Sequence, residues 1–169
     1  ARTDFLLIVG ANPLVSNGPA LRAPRVRDDL NAITGRGGRV VVVDPRRSET
    51  ARLHEHVSIK PNTDAWMLLA MLQVIFAEGL EDEAVVRTQA NGLDQLRSAV
   101  AGFTPEVAAA VCEVPAETIT TLARDFAAAP SATAYGRTGA CLGSHGTLVS
   151  WLIDVLAIAN ALRALRAGR

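Results

Sequence analysis
The chain has 169 residues, 17 basic and 17 acidic side chains, and a hydrophobic fraction of 49%, enough for a single domain (residues 1–169) with a real core and too little for two large ones. Zero formal net charge argues against a nucleic-acid binder, and an aromatic content of 4% argues against a platform for stacking bases or sugars. Two cysteines, Cys112 and Cys141, cannot build a disulfide framework and fit no zinc or iron–sulfur spacing.

The first residues, Ala1 to Leu6, lack the apolar core and small-residue cleavage site of a signal peptide, so a soluble, cytoplasmic protein is expected. Phe5–Val9 is a continuous apolar run ending at Gly10, the form of a strand buried on both faces. A loop with Asn12-Pro13 and Asn17-Gly18-Pro19 follows. Between Pro24 and Thr34, Val26, Leu30 and Ile33 recur at helical spacing, and Gly35, Gly37 and Gly38 stop that helix. Arg39–Val43 is a second buried strand, closed by Asp44-Pro45, which completes a right-handed βαβ unit.

Val57-Ser58-Ile59 reads as a short third strand. Asn62-Thr63-Asp64 supplies helix-capping chemistry before residues 65–77, where Gln73 is the one polar residue. A helix apolar all round belongs in the centre of the domain, and Gly79 ends it. Thr104-Pro105-Glu106 is an N-cap with proline at the first helical position. Ile119, Leu122, Ala123 and Phe126 form a one-sided stripe between Pro115 and Pro130. Ala132–Tyr135 is a weak last strand leading into Gly136-Arg137-Thr138-Gly139. Thr147–Leu162 is nearly all apolar, but it is too short for a bilayer and carries Asp154 at its centre, so no membrane span is expected. Alternating strands and helices predict an α/β fold: a three-layer αβα arrangement around a mostly parallel, dinucleotide-binding type of sheet, with extra helices.

In an open parallel sheet, ligands sit beyond the carboxyl ends of the strands. Gly10 to Pro13, Val43 to Arg46 and Lys60 to Asp64 fall there. Gly10 admits close backbone approach, Asn12 both donates and accepts, and Asp44 can accept from a ribose. Arg46 can neutralise a phosphate, and Asp64 can accept two N–H groups from a guanine. Two readings fit these residues: a nucleotide site, or ordinary turns and helix caps. The G-x-G-x-x-G fingerprint is absent, which disfavours a nicotinamide site. His54-Glu55-His56 has the spacing of a metal pair but no third ligand nearby, so a solvated edge before the third strand is the simpler reading. His145 and Cys141 after the last strand read as turn residues, and Cys112, among Ala and Val, as core packing.

The segments LLIVGANP and VVVVDPRRSETARLHEHVSIKPNTD resemble the dimethyl sulfoxide reductase family of molybdopterin oxidoreductases, which includes formate dehydrogenases and nitrate reductases. The likeness runs on in order through EGLEDEAVV and GFTPEVAAAVCEVPAETITTLARDFAAAPSATAYGRTG to SWLIDVLAIAN. The resemblance implies a domain that binds molybdopterin guanine dinucleotide. Asn12 and Pro13, after Gly10, would line the first cofactor loop, and Val43, Asp44 and Arg46 would meet the ribose and guanine side. Pro61, Thr63 and Asp64 would clasp the guanine, and Gly136, Arg137, Thr138 and Gly139 would approach the pterin or the substrate funnel. Family members usually carry Gly where Asn62 stands, and Asn tolerates positive φ better than most residues.

By the resemblance, the family's molybdenum ligand, a Cys, selenocysteine or Ser, belongs upstream of LLIVGANP, the iron–sulfur cysteines of many relatives are missing, and the Gly-rich segment after the last helix is replaced here by Asn160 to Arg166. The chain is therefore expected to be a fragment of a larger enzyme, with neither catalytic residues nor metal ligands of its own. Its partners would be the enzyme's remaining domains, and the apolar helix Thr147–Leu162 would be left exposed and prone to self-association. Two other classes of function are a stand-alone nucleotide- or molybdopterin-binding module and a small enzyme built on His145, Cys141 and Asp154.

Overall fold
The computed structural model describes residues 2–16, 24–81, 87 and 91–160. The Asn17-Gly18-Pro19 turn, most of EGLEDEAVV and residues 161–166 of the last segment lie outside the described residues. Among the described residues, four strands form one sheet in the order β3-β2-β1-β4: β1 Phe5–Val9, β2 Arg39–Val43, β3 Glu55–Val57 and β4 Ala132–Gly136. Every pairing is parallel, with Phe5 opposite Arg39 and Ala132, and Val41 opposite Glu55.

Alternation along the two central strands builds both faces. Phe5, Leu7, Val9, Val41 and Val43 point into one core, and Ile8, Val40 and Val42 into the other. The second core is closed by α2 (Val26–Gly35) through Val26, Leu30 and Ile33, with Leu14 of the short α1 (Pro13–Ser16) packed against it. The first is closed by α3 (Asp64–Ala77), α5 (Pro105–Cys112), α6 (Ala116–Ala128) and α8 (Gly146–Asn160), with α4 (Leu93–Val100) packed on α3 and the one-turn α7 (Thr138–Cys141) leading into α8. The three-layer αβα expectation holds.

The chain steps outward from β1 to β2 and β3, then returns across the opposite face to place β4 on the other side of β1. Crossovers that reverse direction and change face keep the same hand. They also create a switch point between the carboxyl ends of β1 and β4, the usual position of a ligand crevice.

α3 is central, as its composition requires: Met67, Leu68, Ala70, Met71 and Leu72 are fully buried, and the helix contacts α5, α6 and α8. Thr104 caps α5, its hydroxyl accepting from the Val107 N–H at 3.4 Å. Ile119, Leu122, Ala123 and Phe126 are all buried, and Phe126 meets Phe5 edge-on with centroids 5.6 Å apart.

Two local expectations are corrected. The third strand is Glu55–Val57 rather than Val57-Ser58-Ile59: Val57 and Ile59 are buried, but the ladder bonds to β2 end at Val57. Glu55 and His56 are thus strand residues, not an edge before the strand. Thr63 stands at the N-cap of α3 without capping it. Its φ of −121° and ψ of 11° are not the extended geometry that aims a side-chain oxygen at the first helical N–H groups, and its hydroxyl donates instead to the Lys60 carbonyl at 2.6 Å.

Candidate functional site
The loops that leave β1, β2, β3 and β4 form one rim, held together by specific hydrogen bonds. At the switch point, Gly10 has φ +57°, and a Cβ there would lie 2.3 Å from the Ala140 nitrogen. A Cβ on Gly139 would lie 2.7 Å from the Gly10 carbonyl oxygen, which accepts the Gly139 N–H at 3.0 Å. Only glycine at both positions lets the two backbones meet. Gly136 serves a different contact, since a Cβ on it would strike Ile153 of α8 at 2.3 Å. Arg137 is half-buried, with its N–H on the Val9 carbonyl at 3.3 Å, and Thr138 is exposed.

Between β1 and the segment after β2, Asn12 acts as a rivet. Its Oδ1 accepts from the Thr50 hydroxyl at 2.8 Å and the Thr50 N–H at 3.2 Å, and its Nδ2 donates to Glu49 at 2.6 Å. Its carbonyl accepts from Val15 and Ser16, so Asn12 also starts α1, whose first residue is the buried Pro13. The Asn12 side chain is therefore engaged within the protein. Its partner Thr50 and neighbouring Ser48 are fully buried polar residues that the sequence reading missed. Ser48-Glu49-Thr50 directly after the Asp44-Pro45 stop was the available signal.

Val43 is buried in the core and offers the rim its carbonyl, which accepts the Gly10 N–H at 2.9 Å. Asp44 turns its carboxylate onto the Arg46 N–H at 2.8 Å, and its own carbonyl meets His56 Nε2 at 2.9 Å. Arg46 is exposed and pairs with Glu49 at 3.5 Å.

The fourth segment is the turn before α3. The Lys60 N–H donates to the Cys112 carbonyl at 2.9 Å, and its ammonium pairs with Glu113 at 3.1 Å. Pro61 is exposed, whereas Thr63 and Asp64 are buried. Burial raises the Asp64 carboxyl above the usual carboxylate range, its own backbone N–H opposes this, and the charge on Asp44 adds to the rise. A buried acceptor within the field of a second carboxylate suits a ligand edge that brings N–H donors.

Other candidates do not converge. His54 is half-buried with Nδ1 lacking a partner, and burial lowers its pKa. Among the described residues no group of three His, Cys, Asp or Glu side chains could hold a metal ion. Cys141 Sγ lies 3.2 Å from the Ser150 hydroxyl, while His145 is exposed on the turn before α8 and Asp154 is exposed within that helix. Cys112 is fully buried, as expected of core packing, and its thiol pKa is raised by burial. No described helix is long and apolar enough to cross a membrane.

Comparison with known proteins places this rim in context. Residues 1–165 match the model of the molybdopterin oxidoreductase family. Formate dehydrogenase H of Escherichia coli (strain K12) is 34% identical over 131 residues, which cover 77% of this chain and 18% of that protein. Dimethyl sulfoxide/trimethylamine N-oxide reductase of Cereibacter sphaeroides is 30% identical over 171 residues, covering 92% of this chain and 20% of the relative. In structure, acetylene hydratase from Pelobacter acetylenicus superposes with a TM-score of 0.84 over 96% of this chain and 22% of that one, at 23% identity, a likeness of fold. The chain spans about a fifth of the length of the curated relatives it matches.

Proposed function
The chain belongs to the molybdopterin oxidoreductase family, and from that premise we propose that it is a cofactor-binding domain that holds the guanine dinucleotide part of molybdopterin guanine dinucleotide. The observation that carries the reading is Asp64, a buried carboxylate at the carboxyl edge of a parallel sheet, raised in pKa by desolvation and by Asp44. Its own backbone N–H offsets the burial only in part, and further N–H donors would complete the compensation. A guanine edge supplies two of them.

The residues present fit the group. The Gly10–Gly139 contact packs the two loops backbone to backbone at the switch point, the place where a phosphate or ribose would approach an open parallel sheet. Arg137 borders that crevice, and Arg46 stands just past the end of β2, paired with the exposed Glu49. Asp44 and Asp64 would accept from the ribose and the base. Asn12 would contribute position rather than a free amide, because Thr50 and Glu49 occupy it. When bound, the cofactor supplies the redox chemistry. This chain would bind and orient it, while other domains of a longer enzyme supply the metal ligand, any iron–sulfur cluster and the electron path.

Titration calorimetry with GDP, standing in for the guanine half, tests the reading. Binding that weakens at least about tenfold, the equivalent of 1.4 kcal/mol, in Asp64→Asn and in Asp44→Ala is expected. Heats no larger for the wild type than for the double variant D44A/D64A would overturn it.

A further inference from the structure
The turn that carries Asp64 is joined to the opposite wall of the rim by one side chain. Asn62 has φ +66°, a conformation that costs a non-glycine residue and persists only where surrounding contacts fix it. Its Oδ1 accepts the Ser144 N–H at 2.8 Å, and its Nδ2 donates to the Ser144 hydroxyl at 3.2 Å. A Cβ on Gly143 would lie 2.0 Å from that Oδ1, so Gly143 leaves the opening through which the amide reaches. Among the described residues the one other non-glycine at positive φ is Glu113, which pairs with Lys60, two residues before Asn62. The two positive-φ residues thus lie at and next to the 60–63 turn, Asn62 within it and Glu113 in the segment paired with it.

The consequence is a continuous path. Gly10 meets Gly139 in α7, Ser144, three residues past the end of that helix, meets Asn62, and Asn62 is two residues from Asp64. Residues 142–145 are exposed, Leu142 at 80%. The Asn62 amide gives them two fixed hydrogen bonds to the turn that carries the buried carboxylate.

We propose that Asn62 is a positioning residue for nucleotide selectivity: its clasp on Gly143 and Ser144 holds residues 142–145 as a fixed wall against the turn that carries Asp64, so that a base is read in one register. This rests on the nucleotide reading above. A base edge that must meet one buried carboxylate is discriminated only if it cannot slide, and a wall held by two hydrogen bonds restricts sliding. Without the clasp the carboxylate remains, but the register loosens, so selectivity falls more than stability.

The test compares wild type with Asn62→Gly, Gly143→Ala and the double variant in the full chain. N62G relieves the positive φ and removes the amide, whereas G143A keeps the amide but displaces it, so the two reach the same end by different routes. Amide hydrogen exchange reads the wall, and calorimetry with GDP and with ADP reads the site. Faster exchange at 143–145 is expected in both single variants, with a preference for GDP over ADP reduced about tenfold, the order expected from two modest hydrogen bonds, and no further change in the double variant. Unchanged exchange would overturn the clasp. Faster exchange with an unchanged GDP/ADP ratio would overturn its role in selectivity. If wild type binds neither nucleotide, the nucleotide reading fails and the selectivity role with it, while exchange still decides whether the clasp exists.

Discussion
The Gly139 N–H donates to the Gly10 carbonyl at 3.0 Å, and neither residue has room for a side chain. This contact joins the carboxyl ends of β1 and β4, Val9 and Gly136, which lie opposite each other in the sheet and 127 residues apart in sequence. Gly10→Ala therefore faces two costs: a left-handed φ of +57° and a Cβ 2.3 Å from the Ala140 nitrogen. A loss of about 2–4 kcal/mol is expected from the sum of αL strain and overpacking, read by urea denaturation. Gly37, with positive φ but open space around it, should lose only about 1 kcal/mol on the same change. Equal losses at the two positions would remove the close approach as the explanation.

Asp64 gives a pH dependence with a definite sign. Its carboxyl is raised in the folded state, chiefly by desolvation and further by Asp44. The unfolded chain therefore ionises first as pH rises. The folded state is least penalised below the ordinary carboxylate range, and stability is lost as pH climbs from there through the raised value. Asp64→Asn should be more stable than wild type at pH 7, with the gap closing on acidification toward pH 3. A variant more stable at neutral pH yet weaker for GDP would be a stability–function trade-off at one residue. Thermal melts across that range check it, and a gap that widens toward acid would contradict it.

What the sequence disclosed follows from how local each signal is. The Val40 to Val43 run declares a doubly covered strand because both faces are apolar. α3 declares its central position in the same way. β3 was misplaced by two residues because Val57-Ser58-Ile59 carries the burial pattern, while pairing is decided by the edge that β2 offers to Glu55 and His56. At the rim, the residue types at Gly10, Asp44 and Asp64 were legible. The engagement of Asn12 by Thr50 and of Asn62 by Ser144 was not, because those partners lie 38 and 82 residues away. Long-range hydrogen bonds between polar loop residues leave no periodic trace in a sequence.

Arg39 ties the amino-terminal end of the sheet together. Its guanidinium reaches Glu55 of β3 at 2.8 Å and Asp125 of α6, and lies 5.0 Å over the Phe5 ring. All three charged side chains are at least a third exposed, so the network should contribute about 1 kcal/mol rather than several. Arg39→Met, which keeps the stem over Phe5, should lose less than Arg39→Ala. Both losses should shrink in 1 M salt, where the screening length is about 3 Å. Losses that are equal and independent of salt would assign the effect to packing alone.

The last helix carries two apolar stripes where one would serve a surface helix. Val149, Leu152, Ile153 and Leu156 are buried against the sheet and α3. Leu148, Trp151, Val155 and Ile158 recur at spacings of three and four residues on another side, with Trp151 48% exposed and Ile158 39% exposed. Trp151, Val155 and Ile158 border an apolar cavity of about 150 Å³ with Phe76, Leu93 and Leu96. An exposed heptad-like stripe beside a shallow groove favours burial against another surface. In a longer enzyme that surface would be a neighbouring domain. In the chain by itself, self-association through this face is expected, so light scattering should report mass above the 17.8 kDa of one chain as concentration rises. Trp151→Glu should restore the monomer without lowering the melting temperature, because its side chain is half in water already. A wild-type chain that stays monomeric at high concentration would contradict the expectation. A W151E chain that still associates would move the contact to another face.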